Sequence, residues 1–221
     1  MARTVCLLGT SPEAKGGIGT VVASFLNDIS VEGYVFEYVM THKDVGTLGK
    51  IATGLRGYVE FRRLLAKGNI DLVHMHTSFG ASFMRSIPFI ETAHRAGVPI
   101  VNHCHVGSWD AFYGAASDTR RRWISEVYGK CDRIIALSED WLGILNGVIP
   151  MSKLTLLENC VPSVEYREHS PVKSENILFL GRLDQNKGCD YLLDVCEAVL
   201  RSVPSATFDI CGDGPMADAM R

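Results

Sequence analysis

Three groups of residues have the types and spacing to do chemistry. The first is the stretch Ile177–Gly188, ILFLGRLDQNKG, where an apolar run breaks at Gly181 and Arg182 and Lys187 stand in a short polar loop that closes on Gly188. A strand, a polar loop and a helix start together make an anion site, because first-turn N–H groups lack intrahelical partners and the macrodipole favours negative charge there. Two cations flanking such a turn suit a diphosphate better than a single carboxylate. The same spacing also fits two surface charges in an ordinary loop. The second group is the turn Gly16, Gly17, Ile18, Gly19, which follows a short apolar run. Glycines let the backbone approach a ligand closely, although a tight strand-to-helix turn uses them equally well. The spacing is neither the dinucleotide fingerprint, since Val22 takes the place of the third glycine, nor a P-loop, since no Gly-Lys-Ser/Thr follows.

The third group is a pair of His-x-His repeats, His74/His76 and His103/His105, with Cys104 between the latter two. On a strand, residues two apart share a face, so each pair presents two imidazoles side by side. Zinc ligation, ordinary packing in a doubly covered strand, and one or two histidines lining a polar cleft all fit. The strand-end position of His105 suits the cleft best. Trp109, Phe112 and Tyr113 follow; they can line an acceptor site or pack on the sheet as a hydrophobic loop. Gly-x-Ser-x-Gly is absent, and Asp110 and Glu126 are isolated carboxylates with no acid/base partner in spacing.

The elements that must position these groups alternate. Strand patterns fall at Thr4–Leu8, Val35–Met40, Asp71–His76, Ile100–His105, Arg133–Leu137 and Lys153–Leu157. Between them run helical patterns at about Thr20–Ile29, at Lys50–Lys67 with a stripe of Ile51, Leu55, Tyr58, Val59, Arg62 and Leu65, and at Ser78–Arg95, where Pro88 predicts a kink. Further helices are expected over Thr119–Tyr128 and from an N-cap at Ser138 to about Leu145. This alternation predicts an α/β fold, a parallel sheet with helices on both faces, and ligands bind such sheets at the carboxyl ends of the strands. The Gly16–Gly19 turn, His76 and His105 all fall there.

Residues 1–160 read as one Rossmann-like domain, 161–176 as a polar linker with two prolines, and 177–221 as the first βαβ part of a second. In that second part a strand at Ile177–Leu180 leads to a helix from about Cys189 to Val203. A strand at Thr207–Cys211 follows, then Gly212-Asp213-Gly214-Pro215 and a helix from Met216.

With 221 residues, net charge −3 and 47% hydrophobic residues, the chain has a globular profile without the basic stripe that nucleic acid requires. No apolar run has the length to span a bilayer. Seven cysteines without a CxxC pair read as reduced core thiols of a cytoplasmic protein.

The segments GGIG, DLVHMHTSFG, PIVNHCHVGSWDAFY, CDRIIALSEDW, ENCVP, ILFLGRLDQNKGCDYLL and CGDGP, in that order, resemble the GT4 family of retaining glycosyltransferases with the GT-B fold. The resemblance implies two Rossmann-like domains, the first taking the acceptor and the second a UDP- or GDP-linked nucleotide sugar, with the site in the cleft between them. It implies transfer of the sugar, with configuration kept, to a hydroxyl of a glycan or lipid-linked acceptor in polysaccharide or glycolipid biosynthesis. By the same resemblance, Arg182 and Lys187 hold the donor diphosphate, with Gly17 and Gly19 beside it. His105 sits against the transferred sugar, His76, Trp109 and Tyr113 lie on the acceptor side, and Gly212 and Gly214 shape the donor-domain floor. No metal or other cofactor is expected, and Asp132, Asp184 and Asp213 form no DxD motif. The family's two glutamates eight positions apart have no counterpart up to Arg221. The expectation is therefore a fragment or a truncated form of a longer enzyme, with weak or no donor binding and no turnover. A non-catalytic acceptor- or protein-binding module and an epimerase of the same architecture are the other readings. Peripheral contact with the inner membrane face is expected of the family through a basic amphipathic helix. Leu55–Lys67, with Arg56, Arg62, Arg63 and Lys67, is the candidate and reads equally as a solvated face.

Overall fold

Six parallel strands form the sheet of the first unit, in the order β2-β1-β3-β4-β5-β6. They are β1 (Arg3–Thr10), β2 (Tyr34–His42), β3 (Leu72–Thr77), β4 (Ile100–Cys104), β5 (Arg133–Ala136) and β6 (Leu154–Leu156). Helices α1 (Gly17–Asn27), α2 (Thr47–Ala66), α3 (Ala81–Arg95), α4 (Asp118–Gly129) and α5 (Glu139–Asn146) connect them. The computed structural model describes residues 2–14, 16–105, 109–159 and 175–220. The chain divides into two units, Met1–Ser163 and Val164–Arg221. The expected linker lies almost wholly outside the described residues.

The strands lie where the apolar runs predict, and the reason is visible in their burial. Cys6, Leu7, Leu8, Val73, Met75 and Ile100 are all buried, so strands β1, β3 and β4 hide both faces as parallel strands covered by helices do. Phe83, Phe89, Ile90 and Ala93 of α3 pack into the same core. The helix runs uninterrupted through Pro88, whose carbonyl accepts from Thr92 Oγ1 at 2.7 Å. Ser138 caps α5 by accepting from the Trp141 N–H, with Glu139 and Asp140 in the first turn, as its sequence predicts.

Helix α2 departs from expectation. Its buried face is Gly57 and Phe61, with Tyr58, Leu64 and Leu65 partly covered. Ile51 (56% exposed), Leu55 (62%) and Val59 (47%) of the expected stripe face outward, and so does Leu48 (84%). Gly57 decides the orientation. A Cβ there would stand 2.3 Å from the Met40 carbonyl oxygen, so only a glycine lets this face of α2 lie directly on β2.

The second unit contains the parallel pair β7 (Asn176–Leu180) and β8 (Thr207–Cys211), with α6 (Cys189–Ser202) between them in sequence. Residues after Pro215 form turns ending in a 3₁₀ turn, Asp218–Met220, where an α-helix from Met216 was expected.

Candidate active site

Strand β1 pairs with β2 on one side and β3 on the other, so the chain reverses its direction of travel across the sheet at this point. Ligands of open parallel sheets bind outside the carboxyl ends of the strands at such a reversal. A cavity of about 320 Å³ opens there. Thr10 ends β1 in its wall, Thr41 and His42 end β2, and His76 and Ser78 lie at the end of β3; the Gly16–Gly19 turn, Asp44 after β2, and Ser82 and Arg85 of α3 also line it.

The glycine turn has two distinct jobs. Gly16 has φ +124°, a conformation that disfavours side chains, and α1 starts after it without a side-chain cap. Gly17 has open space where a Cβ would be, which leaves room for a ligand atom against the first-turn N–H groups. Gly19 is instead a packing glycine, since its Cβ would stand 2.2 Å from the Ala14 carbonyl oxygen.

Beside the cavity the four histidines form one stack on a single sheet face. His76 pairs in register with His103, which brings the two His-x-His repeats together. Ring centroids lie 4.8 Å apart for His74–His76, 4.9 Å for His76–His103, 5.3 Å for His76–His105 and 4.6 Å for His103–His105. Phe25 of α1 meets the His74 and His76 rings edge-on. His76 Nδ1 and His105 Nε2 share a hydrogen bond of 3.0 Å, and the His105 N–H donates to the Thr77 carbonyl at 2.7 Å. His74 Nε2, His76 Nε2 and both ring nitrogens of His103 are buried without a partner among the described residues.

Burial and the surrounding imidazoles suppress the charge on this stack. His105 is pushed down to about 3 by burial and then by His103 and His74. His74 falls to about 4 through burial and His103, and His103 to about 4 through burial. His76 lies well below its ordinary value, through burial first and then the other three rings. At neutral pH the stack is therefore a set of uncharged donors and acceptors. Donor atoms of His74, His76 and His103 lie within 4.8 Å of one another, so these are the residues that can hold a metal ion. Nitrogens on one zinc, at about 2.0–2.1 Å from it, stand about 3.4 Å apart. The His74 ring stacks on His76 and His103 at 18° and 19° instead of converging, so ligation would require the rings to turn.

Trp109 and Tyr113 stack on each other at 4.7 Å, and Trp109 meets Phe79 edge-on at 4.8 Å. Both are partly covered and packed against the core, and Arg121 Nε donates to the Tyr113 carbonyl at 3.1 Å. They form the packed aromatic loop and still show a partial surface.

In the second unit, Arg182 follows β7 and is exposed, with its Nε donating to Asp184 Oδ2 at 2.8 Å. Asp184 also accepts from the Lys187 backbone N–H, which caps the 3₁₀ turn Gln185–Lys187. One carboxylate thus orients both cationic residues, and the terminal nitrogens of Arg182 have no partner among the described residues. Gly188, at φ +75°, then starts α6. The reason for Gly212 and Gly214 is close backbone contact. A Cβ on Gly212 would stand 1.8 Å from the Gly181 carbonyl oxygen, and one on Gly214 would stand 2.3 Å from that of Leu183. Here the loop after β7 is laced to the loop after β8. Gly181 N–H donates to Cys211, Leu183 N–H to Asp213, and Met216 N–H to Leu183. The two glycines therefore hold the segment that carries Arg182.

Sequence reasoning missed Thr41, His42 and Arg85. No helix among the described residues is long and apolar enough to cross a membrane.

The six-stranded parallel sheet matches the Rossmann-like N-terminal domain of the GT-B fold. Residues 16–163 match Glycosyltransferase Family 4, and the chain belongs to that family. It is 25% identical over 229 residues to an uncharacterized 41.2 kDa protein in the cps region of Klebsiella pneumoniae, covering 90% of this chain and 61% of that protein. It is also 25% identical over 177 residues to a 2-deoxystreptamine N-acetyl-D-glucosaminyltransferase of Niallia circulans, covering 70% of this chain and 44% of that enzyme. Among solved structures, sucrose-phosphate synthase of Thermosynechococcus elongatus superposes with a TM-score of 0.63 at 14% identity, over 96% of this chain and 70% of that one. UDP-GlcNAc 2-epimerase of Methanocaldococcus jannaschii does so with 0.51 at 13% identity, over 94% and 65%. Since a synthase and an epimerase share the fold, the fold likeness alone does not choose between their chemistries.

Proposed function

We propose that this chain serves a retaining sugar transfer from a UDP- or GDP-linked donor to a hydroxyl of a glycan or lipid-linked acceptor. The observation that carries the reading is the cavity at the carboxyl ends of β1, β2 and β3, walled by the glycine turn and His76. In this reading Arg182 and Lys187 neutralise the charge that grows on the leaving diphosphate, which takes the place of a metal ion. Asp184 pre-orients the guanidinium through Nε. Within the first unit, Gly17 leaves first-turn backbone N–H groups open to an anion in the cavity. His105 remains uncharged, and its Nε2 is held by His76, so Nδ1 is the ring nitrogen that meets a sugar hydroxyl. Trp109 and Tyr113 provide the apolar surface on which an acceptor rests. Work at the inner membrane face, with the chain itself cytoplasmic, fits this role.

The test is calorimetric titration of the chain with UDP and with GDP. Binding of one nucleotide that weakens by about tenfold or more in Arg182→Ala and in Lys187→Ala supports the donor site. Equal binding by both variants and the parent, or no binding of either nucleotide, refutes it for this chain.

A further inference from the structure

Arg85 sits one turn into α3 and is half-buried, yet it makes no hydrogen bond or ion pair with any described residue. Burial lowers its proton affinity, and Asp44 opposes that from nearby without pairing to it. His42 lies against it uncharged-leaning, through burial first and then Arg85. Asp44 is itself 4.0 Å from Lys50. A guanidinium withdrawn from water without a partner costs free energy that a bound anion would offset.

Its location says where such an anion sits. Arg85 and Thr41 both line the 320 Å³ cavity of the glycine turn and also a trough of about 550 Å³ between α2 and α3. They also line a small void of about 20 Å³ between His76 and Phe89. The trough walls are Ile51, Gly54, Leu55, Tyr58, Pro88 and Phe89, with Lys50 at the rim. The outward-facing Leu48 extends this apolar surface along α2. The polar cavity, a half-buried cation and an apolar trough therefore follow one another in space. A small polar acceptor would fill the first and leave the trough wet. A cationic amino-sugar acceptor would meet Arg85 with like charge.

Resting on the transferase reading above, we propose that the acceptor is an anionic amphiphile. Its sugar or hydroxyl end lies in the glycine-turn cavity, its phosphate on Arg85 with Lys50 nearby, and its apolar chain in the trough between α2 and α3. Charge complementarity at Arg85 selects the phosphate, with Lys50 balancing Asp44, which lies 4.0 Å from it and lines the glycine-turn cavity, and the continuity of the cavities at Thr41 and Arg85 sets the order of the three parts.

The test uses the full chain and calorimetric titration with dodecyl phosphate below its micellar concentration, alongside inorganic phosphate and dodecyl maltoside. Dodecyl phosphate should bind at least about tenfold tighter than either, the order of one good charge-assisted contact added to chain burial. Arg85→Ala should remove that advantage over dodecyl maltoside. Gly54→Leu should remove the advantage over inorganic phosphate, since a Cβ at Gly54 meets nothing nearer than the Thr41 carbonyl at 3.7 Å and a longer side chain enters the trough. Helix propensity favours that substitution, so the variant folds. Dodecyl phosphate binding no tighter than dodecyl maltoside, or unchanged in both variants, overturns the proposal. The parallel nucleotide titration separates the two ideas. Nucleotide binding without dodecyl phosphate binding sinks the amphiphile alone, and the reverse sinks the donor site alone.

Discussion

Lowering the pH from about 7 to 5 should destabilise the first unit, and the histidine stack sets how far. Unfolded histidines titrate near 6.5. Folded His74 and His103 lie at about 4 and His105 at about 3. Between those limits the unfolded chain binds more protons than the folded one, so stability rises with pH there. It is full above about 6.5, falls progressively toward the folded values, and levels off below them. Over the interval from pH 7 to 5, each such histidine removes about 1.8 kcal/mol, from 1.36 kcal/mol per unit of titration difference. The three together remove about 5 kcal/mol, and His76 acts in the same direction. That is comparable with the whole stability of an ordinary domain, about 5–15 kcal/mol. Urea unfolding followed by tryptophan fluorescence reads this unit specifically, because Trp109, Trp123 and Trp141 all lie within it. With a slope of about 2 kcal/mol per molar urea, the midpoint should fall by about 2.5 M between the two pH values. His103→Leu sharpens the test. Both ring nitrogens of His103 lack partners, so the substitution gives up no hydrogen bond at neutral pH and should shrink the pH effect by about a third. A midpoint shift below about 0.5 M, or a His103→Leu variant with an unchanged pH effect, would refute the reasoning.

Two glycines give further tests. Gly57→Ala should lower the melting temperature although alanine favours helices by about 1 kcal/mol, because its Cβ would press on the Met40 carbonyl; the expected net loss is about 2 kcal/mol, and a higher melting temperature would contradict the packing of α2 on β2. Gly214→Ala should loosen the lacing between the loops after β7 and β8 and weaken nucleotide binding by about tenfold, while tryptophan-monitored melting of the first unit stays unchanged; nucleotide binding at parent strength would show that Arg182 does not depend on this lacing.

The parallel sheet was legible in the sequence because its inner strands β1, β3 and β4 are buried on both faces and read as short apolar runs between helical patterns. The strand-end placement of the glycine turn, His76 and His105 followed from the same alternation. What one element does to another was not legible. Helix α2 carries two apolar rows, and periodicity counts both without saying which row meets the sheet; Gly57 against the Met40 carbonyl settles that in three dimensions. The register of His76 with His103, which turns two separate repeats into one stack, is a property of strand pairing. Gly19 reads in sequence as a ligand-approach glycine and Gly212 and Gly214 as shaping a domain floor; the close backbone contact that a Cβ at each would meet is visible only in three dimensions. Arg85 drew no attention because nothing near it in the chain marks it; its significance comes from Thr41, His42 and Asp44, contributed by β2 and the loop after it.

The strand order has a consequence for synthesis. Once β1 lies between β2 and β3, each later strand pairs with the one made just before it, β4 on β3, β5 on β4 and β6 on β5. Chain order and sheet order coincide from there on, so a nascent chain can lay down one strand after another along a single growing edge. At about 5–20 residues per second, each edge waits a few seconds for its successor. Asn102 and His103 in β4 put polar groups in the middle of one of those waiting edges, where an all-apolar strand would invite pairing with a neighbouring ribosome's product.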